Sequence, residues 1–372
     1  MKFSISKSVF LKSLTSVGRA SSNHSPLPIL SGIKVTVDHQ GITLLASNTN
    51  ITIQEIIDVS EASQLSVAET GSVVLESRYL IEAVRKLDST LVNVEIIDGA
   101  LTRISGNNAE YEINGIKGDQ FPAIDLTKPD IFFTLSAYKL KEIIKQTAFA
   151  CSQSEDRPIF TGVNFRADQK TLECVATDSY RLAKKTIELD NPLTFNITVP
   201  ATNLNEVEKT IDDNNDVGIA LSTKYIQFYV GKTLIQSRLL DGMFPDVNRL
   251  IPTDFAYELS VDTTDFIAAL DRSSFLKNDG YWTVRLETSS ELITIRSRSQ
   301  EIGSSHEVIS PIDYKGGSLK ITFSGRYMIE ALRSFRADVV KILFVAEMQA
   351  FILVNPNDES VVQLVLPVRT FD

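Results

Sequence analysis

The chain has 372 residues, 43% of them apolar and 23% charged, the balance of an ordinary globular protein with room for two or three domains. A net charge of −10 excludes a protein that simply adheres to nucleic acid through an overall basic surface. The start, Met1-Lys2-Phe3-Ser4-Ile5-Ser6-Lys7, lacks the apolar core of a signal peptide, and the longest apolar runs, such as Val361 to Val368, are too short to span a bilayer, so a cytoplasmic location is expected.

In chain order the first pattern is Phe3-Ser4-Ile5-Ser6 followed by Phe10, Leu11, Leu14 and Val17 at helical spacing, which predicts a helix from about Lys7 to Val17. A β-branched run, Ile42-Thr43-Leu44-Leu45, predicts a strand. A second helix is expected over Ser77-Arg78-Tyr79-Leu80-Ile81-Glu82-Ala83-Val84-Arg85, and the alternating run Val92-Asn93-Val94-Glu95-Ile96-Ile97 after it reads as another strand. The pattern closes on Phe121-Pro122, and the segment Pro122 to Asp130 holds two prolines, as a semi-rigid linker does.

The same plan then starts again. Phe133-Thr134-Leu135-Ser136 leads into Leu140, Ile143 and Ile144 at helical spacing, with Ser136 placed as an N-cap. A degraded copy of the second helix stands at Ala201 to Lys209, Tyr225 to Val230 is the strand, and Phe244-Pro245 closes the unit. Pro245 to Asp254 again holds two prolines. A third pass has Leu259-Ser260-Val261-Asp262 with Asp262 as N-cap, then Phe266, Ile267 and Leu270, the strand Leu292 to Ile295, the helix Gly325 to Arg333 and the ending Leu366-Pro367. The period is far too long for a solenoid repeat and has the size of a domain. The chain therefore reads as one α+β domain used three times, over residues 1–124, 125–250 and 251–372, each with two helices packed on antiparallel sheets. Since both halves of each domain share the helix-then-strands order, a half-domain used six times is the underlying unit. Stiff linkers between like modules impose a fixed rotation per step, which generates an arc, and arcs can close into a ring.

Charge is unevenly placed. The first, second, third and sixth predicted helices are net basic, through Lys7, Lys12 and Arg19, then Arg78, Arg85 and Lys86, then Lys139, Lys141 and Lys145, then Arg326, Arg333 and Arg336. The fourth and fifth are slightly acidic. Helix faces are often lysine-rich for solubility alone; the functional alternative is a set of helices facing a polyanion.

Catalytic motifs are missing. His24, His39 and His306 lie in unrelated contexts, and Cys151 and Cys174 have no neighbouring histidine and read as buried structural thiols. There is no glycine-rich phosphate loop and no nucleophile elbow. The run Asp212-Asp213-Asn214-Asn215-Asp216 lacks the glycine and the terminal glutamate of a calcium loop and reads as a turn. No metal or cofactor is called for, and the absence of motifs joined to threefold repetition favours a binding role over an enzyme.

Four segments carry a family resemblance: Leu27-Pro28-Ile29-Leu30, Val175-Ala176-Thr177-Asp178-Ser179-Tyr180-Arg181-Leu182-Ala183, Leu240-Asp241-Gly242-Met243-Phe244-Pro245-Asp246 and Leu364-Val365-Leu366-Pro367-Val368-Arg369. In this combination and order the chain resembles, over its whole length, the β subunit of bacterial DNA polymerase III, the sliding clamp family. The resemblance implies a homodimeric ring of six similar domains, with helices around a pore that admits duplex DNA without base readout. It also implies a tethering role for the replicative polymerase, and docking of the clamp loader and repair factors through short hydrophobic motifs. The docking wall it implies is Phe160, Thr177, Ser179, Tyr180, Arg181, Leu182, Pro245, Arg249, Leu250, Val365, Leu366, Pro367, Val368 and Arg369. Ser179, Tyr180 and the extension Thr370-Phe371-Asp372 depart from the commonest family pattern. For DNA it implies Arg78, with His24 where an arginine is common and Pro158 and Ile159 where aromatic residues can touch DNA. For ring closure it implies Tyr111 against Phe275 and Leu276. Two other readings compete: a three-domain repeat enzyme using carboxylates, such as a hydrolase, and a peptide-binding scaffold that never encloses DNA.

Overall fold

Residues 1–22, 27–211, 216–277 and 281–369 are described by the computed structural model; His24, residues 212–215 of the acidic run and the extension from Thr370 lie outside them. Among the described residues six α-helices form where the apolar spacing places them: α1 Lys7–Val17, α2 Ser77–Lys86, α3 Ala137–Thr147, α4 Ala201–Thr210, α5 Thr263–Asp271 and α6 Gly325–Phe335. Each is short, so packing rather than intrinsic propensity must hold it. In α1 the buried stripe is Phe10, Leu14 and Val17, in α2 Leu80, Ala83 and Val84, and in α6 Met328, Ile329, Ala331, Leu332 and Phe335. A fully buried Leu or Phe contributes roughly 1.5–3 kcal/mol each.

The expected caps are in place. Ser136 Oγ accepts from the Lys139 amide at 3.3 Å, and an Asp262 carboxylate oxygen accepts from Asp265 N at 2.9 Å. Helix α6 stops at Arg336, which adopts a left-handed φ of 50°. Part of the predicted basic character is spent locally. Lys7 Nζ donates to the Leu87 carbonyl just past α2, Arg85 pairs with Glu82, and Lys209 pairs with Glu206 at 2.7 Å.

The strands form antiparallel sheets, and two sheets run across the repeat junctions. One, of nine strands, contains Ile51–Asp58 hydrogen-bonded to Thr233–Arg238, with Ile53 opposite Ile235. Another, of seven strands, contains Arg181–Pro200 hydrogen-bonded to Asp358–Val365, with Leu182 opposite Leu364. Five-stranded and four-stranded sheets complete the set, with Glu110–Asn114 on an edge of the first and Gly303–Ile309 on an edge of the second.

This strand pairing alters the modular picture that the repeat suggests. By its contacts the chain divides into two compact units, one built from Met1–Leu140 and Asn205–Leu239, the other from Lys141–Leu204 and from Leu240 onward. The middle repeat is shared between them, the cuts falling inside α3 and α4. Backbone ladders thus join successive repeats in addition to the proline linkers.

Candidate functional site

The segment Thr177-Asp178-Ser179-Tyr180-Arg181 connects two long strands, Gly162–Thr177 and Arg181–Pro200, through a turn whose side chains build its shape. Thr177 Oγ1 donates to the Arg181 carbonyl at 2.6 Å and accepts from Ser179 N at 3.1 Å. Asp178 accepts from the amides of Tyr180 at 2.9 Å and Arg181 at 3.0 Å, the local Asx hydrogen bonding that favours turns. These four bonds hold Ser179 at φ 78°, a conformation costly for a residue with a Cβ. They also expose Tyr180, 63% accessible, and turn Arg181 inward, 6% accessible.

Arg181 is fully engaged. Its Nε donates to Asp178 at 3.0 Å, one terminal nitrogen to Glu330 of α6 and the other to the Phe149 carbonyl. The guanidinium lies over the rings of Tyr327, at 4.4 Å, and Phe149, at 5.3 Å. Burial, with the Asp178 charge nearby, pushes the Tyr327 hydroxyl above its ordinary value. Burial likewise pushes the Cys151 thiol up to about 12, which leaves it a protonated, unreactive side chain.

Beside this turn lies an apolar basin. Its floor is Val175, Leu182, Phe244, Val247, Ile352 and Leu364, with Ile159, Phe160, Ile251 and Phe255 packed against it. Phe160 meets Phe244 edge to face at 5.8 Å. Gly242, at φ 109°, lets the chain turn just before the rim, in a region that glycine alone enters readily. Large apolar side chains next to the floor in sequence stand in solvent: Met243 at 88% and Leu250 at 62%, with Leu366 at the rim of the tail. The tail is fixed by its backbone, Leu366 N donating to the Tyr180 carbonyl at 2.9 Å and Val368 N to the Thr322 carbonyl at 2.7 Å.

The implied docking wall is thus partly assembled and partly sorted elsewhere. Phe160 and Leu182 meet in the basin, Thr177, Ser179 and Tyr180 form the turn, and Tyr180 is bonded to Leu366. Pro245, Arg249 and Leu250 are exposed beside the floor residues Phe244 and Val247; Pro367 and Val368 are half-buried and Arg369 is exposed. Val365 packs instead in the core built around α5 and α6, and Arg181 is turned away from solvent into its ion pairs. Of the residues implied for DNA, Arg78 is exposed with its guanidinium 6.0 Å from the Tyr79 ring, Pro158 is exposed, and Ile159 belongs to the basin's periphery. For ring closure, Tyr111 is half-buried, Phe275 is 63% accessible and Leu276 only 2%, so of that pair Phe275 alone is presented to solvent.

Sequence models of three family domains match the chain consecutively: DNA polymerase III beta subunit, N-terminal domain over residues 1–125, central domain over 134–246 and C-terminal domain over 248–369. The Beta sliding clamp of Bacillus subtilis (strain 168) is 37% identical over 378 residues, covering 100% of both chains. That of Staphylococcus aureus (strain N315) is 36% identical over 376 residues with the same coverage. The chain belongs to the DNA polymerase III beta subunit family. In three dimensions it matches the crystal structure of the Bacillus subtilis DNA polymerase sliding clamp with a TM-score of 0.94, at 37% identity and over 100% of both chains. It also matches a sliding clamp from Bartonella birtlesii bound to griselimycin, with a TM-score of 0.92 at 26% identity over 100% of both chains.

Within this family frame the sequence reasoning overlooked most of the basin floor. Val247 and Ile352 carry only the apolar pattern of ordinary strands and linkers, and Val175 and Leu364 stand in segments that carry the resemblance without being marked as part of the docking wall. Glu330, Tyr327 and Phe149, the partners of Arg181, are far from it in sequence and had no pairwise signal at all.

Proposed function

We propose that the chain works as a DNA sliding clamp: a cytoplasmic, non-enzymatic homodimer that encircles duplex DNA and tethers the replicative polymerase to it. The observation that carries this reading is full-length similarity, in sequence and in fold, to the Bacillus subtilis clamp. The relatives named above are clamps and none is a hydrolase, so a carboxylate enzyme has no comparable support.

Physical features of the chain agree with each part. Free sheet edges at Glu110–Asn114 and Gly303–Ile309 are templates for pairing with a second copy, and ring closure would set Tyr111 of one copy against Phe275 of another. The exposed cations of the helices, Arg78, Lys12, Lys139 and Arg333 among them, supply a sequence-independent field for phosphates while the chain as a whole stays acidic. The basin bounded by Phe160, Leu182, Leu250 and Leu366 fits one or two apolar anchors of a short peptide from the polymerase, the clamp loader or a repair factor. Tethering then converts polymerase rebinding into an intramolecular event at high local concentration.

The decisive test is retention on nicked circular DNA before and after linearisation. Topological linkage predicts a dimer that stays on the circle at high salt and is lost once an end is made. A dimer held equally on both forms, or lost from both as salt rises, would reject encirclement.

A further inference from the structure

The repeat places two junctions of one design in this chain, and their differences decide which can dock a peptide. The turn at Ser47-Asn48-Thr49-Asn50-Ile51 copies that at Thr177 to Arg181 bond for bond. Asn48 accepts from Asn50 N at 3.1 Å and Ile51 N at 3.0 Å, Ser47 Oγ accepts from Thr49 N and donates to the Ile51 carbonyl, and Thr49 stands at φ 77°. Arg238 N donates to the Asn50 carbonyl at 2.9 Å, as Leu366 N does to Tyr180. Beyond each turn a linker begins with a buried phenylalanine, Phe121 or Phe244, set in its own apolar cluster.

The sheet row under each linker is where they part. At the second junction the cross-strand row is Leu182, Leu364 and Ile352, all apolar. At the first the same row is Thr52, Gln236 and Gln227, 6%, 6% and 1% accessible. Gln236 Nε2 donates to the Asp125 carbonyl at 3.1 Å, and Gln227 Nε2 reaches both the Thr127 carbonyl at 3.2 Å and Gln236 Oε1 at 2.7 Å. Tyr229 donates to Gln227 at 2.5 Å, and Thr52 is hydrogen-bonded to Ser47 at 2.8 Å. A buried polar row so connected draws the linker backbone down onto the sheet. The second linker satisfies itself instead, Leu250 N donating to Val247 and Ile251 N to Asn248 within a short 3-10 turn. Its apolar row, equally buried at 2%, 4% and 5%, clusters with the linker side chains Phe244 and Val247 but forms no hydrogen bond to that backbone.

We infer that the first junction is a docking groove held shut by hydrogen bonds from the sheet to the chain's own linker, and that Thr52, Gln227 and Gln236 are the residues that restrict peptide docking to the second junction, whose linker is held by displaceable apolar side chains. The inference rests on reading the second junction as the docking site. The probe is an acetylated, amidated pentapeptide containing Leu-Phe, titrated calorimetrically into the intact dimer. Wild type should bind one peptide per chain, and the Thr52→Leu/Gln227→Ile/Gln236→Leu variant, still dimeric, two. A wild type that binds none rejects the docking reading itself; a wild type that binds one with a dimeric variant that also binds one rejects this inference alone. The reciprocal variant, Ile352→Gln with Leu364→Gln, guards against a triple variant that fails to fold. It should bind at least ~100-fold more weakly, with slower amide exchange across residues 246–251 because the linker is now held. Weaker binding with unchanged or faster exchange there would overturn the inference.

Discussion

Arg181 and Glu330 form an ion pair that ties the exposed turn at Thr177 to Arg181 to helix α6. Arg181 keeps 6% of its side chain in water and Glu330 34%, and Glu330 also lies 3.8 Å from Arg326 on the same helix. The arginine next to the basin therefore acts as a fastening, through its partners, rather than as a free donor awaiting a ligand.

Arg181→Ala should destabilise the protein by about 3 kcal/mol, the low end for a broken buried pair because Glu330 remains partly solvated. Arg181→Lys should lose nearly as much, since a lysine cannot reach Asp178, Glu330 and the Phe149 carbonyl together. Urea unfolding monitored by circular dichroism measures both. A loss below ~0.5 kcal/mol in the alanine variant would mean that the pair contributes little, as exposed pairs do.

Ser179 occupies a left-handed conformation and should be improved by glycine. Ser179→Gly is expected to raise stability by up to about 1 kcal/mol, and Ser179→Val to lower it by more than that. Thermal melts of the two variants, with Thr49→Gly as the matched control in the twin turn, read the difference directly.

Phe275 and Leu276 should separate cleanly. Phe275→Asp is expected to give folded monomers in sedimentation at low micromolar concentration, because that ring is exposed on the single chain. Leu276→Ala should keep the dimer and cost roughly 2–5 kcal/mol of unfolding free energy, since its side chain is already buried. A dimer that survives Phe275→Asp intact would remove this residue from the interface.

Acidification should weaken the joint around Lys185. Burial raises the Asp358 carboxyl, but hydrogen bonds from Ser360 and the Lys185 ammonium, 3.2 Å away, outweigh it and hold the group below the ordinary aspartate value. A carboxyl lowered in the folded state stabilises above its unfolded value, near ~3.9, and that contribution is lost as pH falls through the folded value. Unfolding free energy should therefore drop from pH 5 toward pH 3. Asp358→Asn should flatten that limb and cost about 1 kcal/mol at pH 7, a partly exposed charged hydrogen bond. An acid limb identical to wild type would exclude Asp358 as a contributor.

Helix α6 and the basin illustrate what could be read ahead of the structure. The apolar spacing of Met328, Leu332 and Phe335 announces the helix, and Ser324 caps it by accepting from Tyr327 N at 3.4 Å. The turn at Thr177 to Arg181 is legible too, since the side chains of Thr177 and Asp178 bond to the backbone within four residues. Arg181 was misleading for a physical reason: a lone arginine beside apolar residues looks the same in sequence whether it faces solvent or three acceptors from distant segments.

By itself the sequence determined the repeat, the helices and their caps, and the β-strand segments, because these depend on spacing and bonds within a few residues. It also determined the family, through motifs spread along the whole chain. Which strands would join across repeats, and hence that the middle repeat is divided between two compact units, was decided only in three dimensions. So was the fate of each junction. Gln236 and Leu364 are both inward residues of similar strands, and only their surroundings make one bind the linker to the sheet through hydrogen bonds and leave the other in a purely apolar cluster with the linker side chains Phe244 and Val247.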